Sequence, residues 1–128
     1  MMKRILIADD EPHMRRFLEL SLKKGCFEFL FATNGQEAID QASQNQPDMI
    51  VMDVTMPVMD GLAALSELKR LDETREIPVI MITARGHILT RQEAELSGAA
   101  LFLTKPFSPT QLLRKVRELL AGQQAAIR

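Results

Sequence analysis

The chain has 128 residues, 46% of them hydrophobic and 26% charged, with 16 basic against 17 acidic side chains and a net charge of −1. That leaves room for one domain with one sizeable core. The charge balance supplies neither a basic surface for nucleic acid nor a lysine/arginine run for a membrane face.

Met1-Met2-Lys3-Arg4 leads into only a short apolar stretch before Asp9, too little for a signal-peptide core, and nowhere do about 18 apolar residues run together. Ile5-Leu6-Ile7-Ala8 predicts a strand ending in Asp9-Asp10, with Glu11 next. Met14, Phe17, Leu18 and Leu22 follow at helical spacing. The single cysteine, Cys26, excludes an internal disulfide and suits a reducing cytoplasm. Its simplest reading is a small buried hydrophobe in a strand. Phe27, Phe29 and Phe31 then alternate with Glu28 and Leu30, the pattern of an edge strand. Ala32-Thr33-Asn34-Gly35 reads only as a turn into a helix marked by Ala38, Ile39 and Ala42.

Met49-Ile50-Val51-Met52 predicts a third strand ending in Asp53. Asp60 precedes a helix carrying Leu62, Leu65 and Leu68 on one face. Val79-Ile80-Met81-Ile82 is a fourth strand, closed by Thr83. The helix after Thr90 has the weakest stripe, although Thr90 and Glu93 have capping-box spacing. Leu101-Phe102-Leu103 is a fifth strand, ending in Thr104-Lys105. Ser108 with Gln111, and Pro109 at the first helical position, open the last helix. Its stripe is the clearest: Leu112, Leu113, Val116, Leu119 and Leu120. No linker or repeat interrupts the chain before Gly122, so residues 1–122 form one domain and 123–128 a short C-terminal tail.

Strands apolar throughout, alternating with helices, predict a doubly wound α/β fold, its parallel sheet covered on both faces. Such sheets bind ligands at the carboxyl ends of their strands. Every strand end but the second carries a candidate: Asp9 and Asp10, then Asp53, Thr83 and Lys105. In strand order 2-1-3-4-5 these strands lie side by side, whereas order 3-2-1-4-5 would strand Asp53 at an edge. Side-chain reach favours the first order. Neighbouring strands are about 4.8 Å apart, within range of short Asp and Thr side chains, and the long Lys105 sits on the strand two spacings away. Crowded carboxylates repel and are costly to desolvate without a counter-charge. An all-oxygen cluster suits Mg²⁺. A metal beside a carboxylate, a lysine and a hydroxyl is an arrangement for phosphoryl transfer, the carboxylate acting as nucleophile.

At this point the chain resembles the receiver domains of two-component signalling, CheY-like proteins among them. The resemblance spans about residues 3 to 121 and rests on Ile5-Leu6-Ile7-Ala8-Asp9-Asp10-Glu11-Pro12, Asp53-Val54-Thr55-Met56-Pro57-Val58-Met59-Asp60-Gly61, Ile82-Thr83-Ala84 and Thr104-Lys105-Pro106-Phe107. It implies a flavodoxin-like (βα)5 fold and a response regulator rather than a turnover enzyme, one that catalyses only its own phosphorylation and dephosphorylation. Asp53 is the implied phospho-acceptor. Asp10 and Asp53 would bind Mg²⁺ through their side chains, Thr55 through its carbonyl, and Asp9 directly or through a water. Lys105 would contact the phosphoryl group, as would Thr83 with the Ala84 backbone N–H. Phe102 stands at the switch aromatic, and Lys105-Pro106 at a cis peptide. The implied partners are a sensor histidine kinase or histidine phosphotransfer protein and a downstream effector. Neither nucleic acid nor a membrane is expected to bind this cytoplasmic domain, which would be a monomer or a weak phosphorylation-dependent dimer. Thr55 and Arg85 occupy positions where the family tunes dephosphorylation. Ala100 replaces an acid on a dimer face, and Phe102 lacks the commoner tyrosine's hydroxyl.

Other readings stand beside these. Taken singly, Asp9-Asp10 is a solvated turn, Thr83 a strand-end hydrogen bonder and Lys105 a surface charge. His13 and His87 read as surface residues. Arg15, Arg16, Arg114, Lys115 and Arg117 read as solvated helix faces, with a kinase-docking role for Arg15 and Arg16 as the alternative. A haloacid-dehalogenase-type phosphatase would want an acid at Thr55 and a cap domain. A nucleotide or flavin site would want a glycine-rich phosphate loop, and none is present. A degenerate receiver acting only as a protein-binding module is the remaining alternative.

Overall fold

The apolar runs become strands that pair in parallel, in the order β2-β1-β3-β4-β5. The strands are β1 (Arg4–Ala8), β2 (Glu28–Ala32), β3 (Met49–Asp53), β4 (Val79–Thr83) and β5 (Leu101–Thr104). The helices are α1 (Pro12–Leu22), α2 (Gly35–Asn45), α3 (Gly61–Arg70), α4 (Arg91–Leu96) and α5 (Pro109–Ile127). This computed structural model describes residues 2–84 and 91–127, excepting the side chains of 91 and 123–127. The expected strand order and flavodoxin-like architecture are what the chain adopts.

The sheet divides the interior. Ile5, Ile7, Met49, Val51, Ile80 and Ile82 face α1 and α5, where Leu18, Leu22, Leu112 and Val116 close over them. Leu6, Ile50, Met52, Val79 and Met81 face the other way, under Ala38, Ile39 and Ala42 of α2 and Ala64, Leu65 and Leu68 of α3. The pleat sends successive side chains to opposite faces, so strands covered on both sides must be apolar at every position. β3 and β4 are buried throughout. Each fully buried aliphatic side chain stabilises the fold by roughly 1.5–3 kcal/mol. β2 lies at the edge and is only partly buried, with Phe31 exposed.

Helix caps follow the sequence signals. The Asp60 carboxylate accepts from the Ala63 N–H (2.8 Å), and the Ser108 hydroxyl from the Gln111 N–H (3.3 Å). Thr90, with the capping box it was expected to form, lies outside the described residues, as do Arg85 and His87. One expectation needs correction. Cys26 is exposed and outside any strand, with φ 59. The chain leaves a 3₁₀ turn at Lys23–Gly25 and needs a left-handed residue there to turn into β2. The last helix, α5, runs on through Gly122 to Ile127. One glycine costs a helix about 1 kcal/mol, which the flanking alanines and glutamines tolerate. Among the described residues no helix is long and apolar enough to cross a membrane.

Candidate functional site

Parallel register lines up the strand ends. Ala8 pairs with Met52, Asp53 with Ile82 and Thr83 with Thr104, so Asp9 and Asp53 leave adjacent strands at one level. Lys105 continues from β5, anchored by its N–H to the Thr83 carbonyl (2.8 Å). Its side chain crosses above β4, and Nζ meets Asp53 Oδ2 at 2.7 Å, joining residues 52 apart in sequence. Asp53 is 5% exposed. Its Oδ1 accepts from the Thr55 N–H at 2.8 Å.

Asp9 is held by its backbone and one carboxylate oxygen. Its N–H donates to Ala32 O (3.0 Å), its carbonyl accepts from Arg15 Nη1 (2.8 Å), and its Oδ1 accepts from the Glu11 N–H (2.9 Å). Its Oδ2 is buried with no hydrogen-bond partner. Burial is the main reason the Asp9 carboxyl is pushed up to about 7; the Glu11 N–H opposes the rise, and the charge of Asp53 adds to it. For Lys105, burial opposes the charged form, but the hydrogen bond and charge of Asp53 outweigh it and raise the pKa, with Asp9 and Glu11 contributing. The centre is thus a buried carboxylate pair compensated by one ammonium.

The remaining expected residues distribute around this pair. Asp10 is exposed in the turn that the Asp9–Glu11 bond creates. Among the described residues no three acidic, histidine or cysteine side chains are grouped to hold a metal, so the expected trio of carboxylates is a pair with Asp10 on the rim. Hard oxygen donors at the centre are Asp9 and Asp53. Thr55 is exposed beside them. Thr83 is buried, its hydroxyl donating to the Ala84 carbonyl (3.3 Å) rather than to Asp53. Ala84 is exposed and lines an open apolar cleft of about 450 Å³ with Met14, Phe17, Lys105, Pro106 and Phe107. Phe102 is half-buried against the α2/α3 core. Lys105-Pro106 is cis, as the resemblance implied. His13 is a surface residue.

Several supporting residues escaped the sequence reading. The β2–α2 turn, taken as a mere connection, buttresses the site. Asn34 caps α2 at the Glu37 N–H (2.9 Å), while Glu37 reaches back to the Thr33 N–H (2.7 Å) and hydroxyl (2.8 Å). The Asn34-to-Glu37 spacing, that of a capping box, is the signal that could have shown it. Gly35 then approaches the loop after β3 so closely that a Cβ there would sit 2.4 Å from Met59 O. Gly61 is tighter still: a Cβ would lie 2.1 Å from Asp53 O. Val58 has φ 67, with the Met59 N–H bonded to Pro57 O (2.7 Å), a γ-turn around a β-branched residue.

Comparison with known proteins agrees with this geometry. The family model for the response regulator receiver domain matches residues 5–117. The transcriptional regulatory protein SrrA of Staphylococcus aureus is 39% identical over 98% of this chain, which spans about half (51%) of that relative's length. Chemotaxis response regulator CheY4 of Vibrio cholerae superposes with a TM-score of 0.83 at 30% identity, over 92% of this chain and 98% of its own. The receiver domain of the sensor histidine kinase PA1611 from Pseudomonas aeruginosa PAO1, solved with a magnesium ion coordinated in its active site cleft, gives 0.85 at 26% identity over 94% and 99%. The chain therefore belongs to the response-regulator receiver domains of two-component signalling.

Proposed function

We propose that this domain is a phosphorylation switch in which Asp53 accepts a phosphoryl group with Mg²⁺ as cofactor. The observation that carries it is the buried Asp53 carboxylate gripped by Lys105 at 2.7 Å, with the raised-pKa Asp9 beside it. An Asp53 oxygen forms a bond to phosphorus as the donor's bond to phosphorus breaks. When the donor is a phosphohistidine on a sensor kinase or phosphotransfer protein, the imidazole nitrogen keeps the electron pair and takes a proton from solvent. Lys105 then transfers its contact from the carboxylate to the phosphoryl oxygens. The Thr83 hydroxyl and the Ala84 N–H stand at the adjacent strand end to receive the same group. The apolar cleft over Met14 and Phe17 opens beside Lys105 and gives a protein donor its approach.

The donor set suits the cation. Mg²⁺ takes one or two carboxylates and keeps several waters, and the orphaned, buried Asp9 Oδ2 is the group most relieved by a hard positive charge. Asp9, Asp53 and the Thr55 carbonyl would hold it, with Asp10 on the rim. Bound there, it offsets charge building on the phosphoryl oxygens. Movement of Thr83 toward the new phosphoryl group frees space for Phe102, biasing the α4-β5-α5 face between two arrangements. A downstream effector in the cytoplasm reads that face by protein contact, and this domain makes no nucleic-acid contact of its own.

Intact-mass measurement after incubation with acetyl phosphate and Mg²⁺ tests this. The expected gain is one phosphoryl group, abolished by Asp53→Asn or by chelating the metal. A gain that persists in Asp53→Asn refutes the assignment, and steady rapid release of phosphate favours a phosphatase instead.

A further inference from the structure

Arg15 was expected on a solvated helix face. The structure turns it inward: it is half-buried, and its Nη1 donates to the Asp9 carbonyl at 2.8 Å. Its neighbour Arg16 stays exposed and pairs with Glu19 on its own helix. The two arginines, alike in sequence, therefore do different things.

The Asp9 carbonyl belongs to the peptide unit joining Asp9 to Asp10. Fixing that plane sets the direction in which both carboxylates leave the backbone. Among the described residues, the backbone of Asp9 is also held by its N–H to Ala32 O on β2, and its Oδ1 by the Glu11 N–H. Arg15 is the side chain that grips its carbonyl. A planar guanidinium suits the task, because its donors are rigidly placed and it loses little freedom per bond formed. Its charge is also felt at the β2–α2 turn, where Glu37 is held below the usual carboxylate range first by the Thr33 N–H and hydroxyl, and also by the charge of Arg15.

We propose that Arg15 is a positioning residue for the acceptor site: by holding the Asp9 carbonyl it aims the free Asp9 oxygen at Asp53 and so sets the site's affinity for a divalent cation. This rests on the reading of Asp9 and Asp53 as the cation's ligands. It has a test in the sign of an effect. Arg15 is itself positive, so charge alone predicts that removing it tightens cation binding. Loss of positioning predicts the reverse, by about tenfold or more, the range found when outer partners of metal ligands are removed.

Mg²⁺ binding to the full chain should be measured by titration calorimetry for the wild type, Arg15→Ala and Arg15→Lys, without phosphodonor. The Glu11 amide should be followed in parallel by hydrogen exchange, since its bond to Asp9 Oδ1 reports the carboxylate's orientation even if the variant loses stability. Support is weaker binding and faster Glu11 exchange in Arg15→Ala, with partial recovery in Arg15→Lys, which restores a cationic donor. Equal or tighter binding in Arg15→Ala, alongside a wild type that binds, overturns the positioning role alone. A wild type that does not bind Mg²⁺ overturns the ligand assignment and this inference together.

Discussion

Replacing Asp9 by asparagine should stabilise the protein at neutral and alkaline pH, although it removes a residue from the centre of the site. The folded state raises the Asp9 carboxyl from its ordinary 3.8 to about 7. A native state that holds a proton more tightly than the unfolded chain loses stability as pH rises between those values and keeps the deficit above them. At roughly 1.4 kcal/mol per pKa unit, the rise bounds the cost of ionising Asp9 at about 4 kcal/mol. Solvent relaxation at a strand-end site removes roughly half of that. Asparagine keeps the oxygen that accepts from the Glu11 N–H, and its amide can donate where Asp9 Oδ2 has no partner. Asp9→Asn should therefore gain about 2 kcal/mol at pH 8, a Tm increase of about 8 °C for a chain of this size. The gain should shrink steadily below pH 7 and vanish near pH 4. Thermal melts of both proteins in a chelating buffer across that range measure it. Millimolar Mg²⁺ should stabilise the wild type more than the variant at pH 8, narrowing the gap. A difference that does not change with pH, or an asparagine variant less stable at pH 8, refutes the account of Asp9 as a buried, strained acid.

Gly61→Ala should cost roughly 2–3 kcal/mol in urea denaturation, the cost of overpacking. The new Cβ meets the Asp53 carbonyl at 2.1 Å, and backbone cannot swing away as a side-chain tip would. The same variant should take phosphate from acetyl phosphate at least tenfold more slowly, because small misplacements of a reacting group are costly. Val58→Gly should do the opposite and stabilise the fold by about 1 kcal/mol. Relief of a positive-φ β-branched residue outweighs the added entropy of glycine, and the Val58 side chain, 85% exposed, has little burial to lose. Urea midpoints check this, and a destabilised Val58→Gly shows that the γ-turn carries no strain.

Much of the architecture was legible because it follows from periodicity. Strands such as Met49–Asp53 and Val79–Thr83 must be apolar at every position before the last to lie between two helical layers, and that pattern separates them from amphipathic helices. The meeting of Lys105 with Asp53 was legible from reach, since one long side chain two strands away has few other roles. What escaped was decided by directions rather than residue types. Arg15 and Arg16 differ by one step around a helix, and helical spacing alone did not show that Arg15 turns inward onto the Asp9 carbonyl. Cys26 looked like strand filler until the chain needed a left-handed corner. Asp10 shares its neighbour's chemistry, yet the Asp9–Glu11 turn leaves it facing water. Gly61 escaped for a different reason: its need for smallness comes from the Asp53 carbonyl, a contact absent from any local pattern.

The pleat of β5 gives its last residues separate surroundings. Leu103 points into the hemisphere under α1 and α5, while Phe102, one residue earlier, rests against the hemisphere under α2 and α3. A change in the seating of Phe102 therefore bears first on the packing under α2 and α3, while Leu103 ties the same strand to α1 and α5 on the opposite face. A four-residue strand is thus the piece of backbone through which a disturbance on one side of the sheet can be felt on the other.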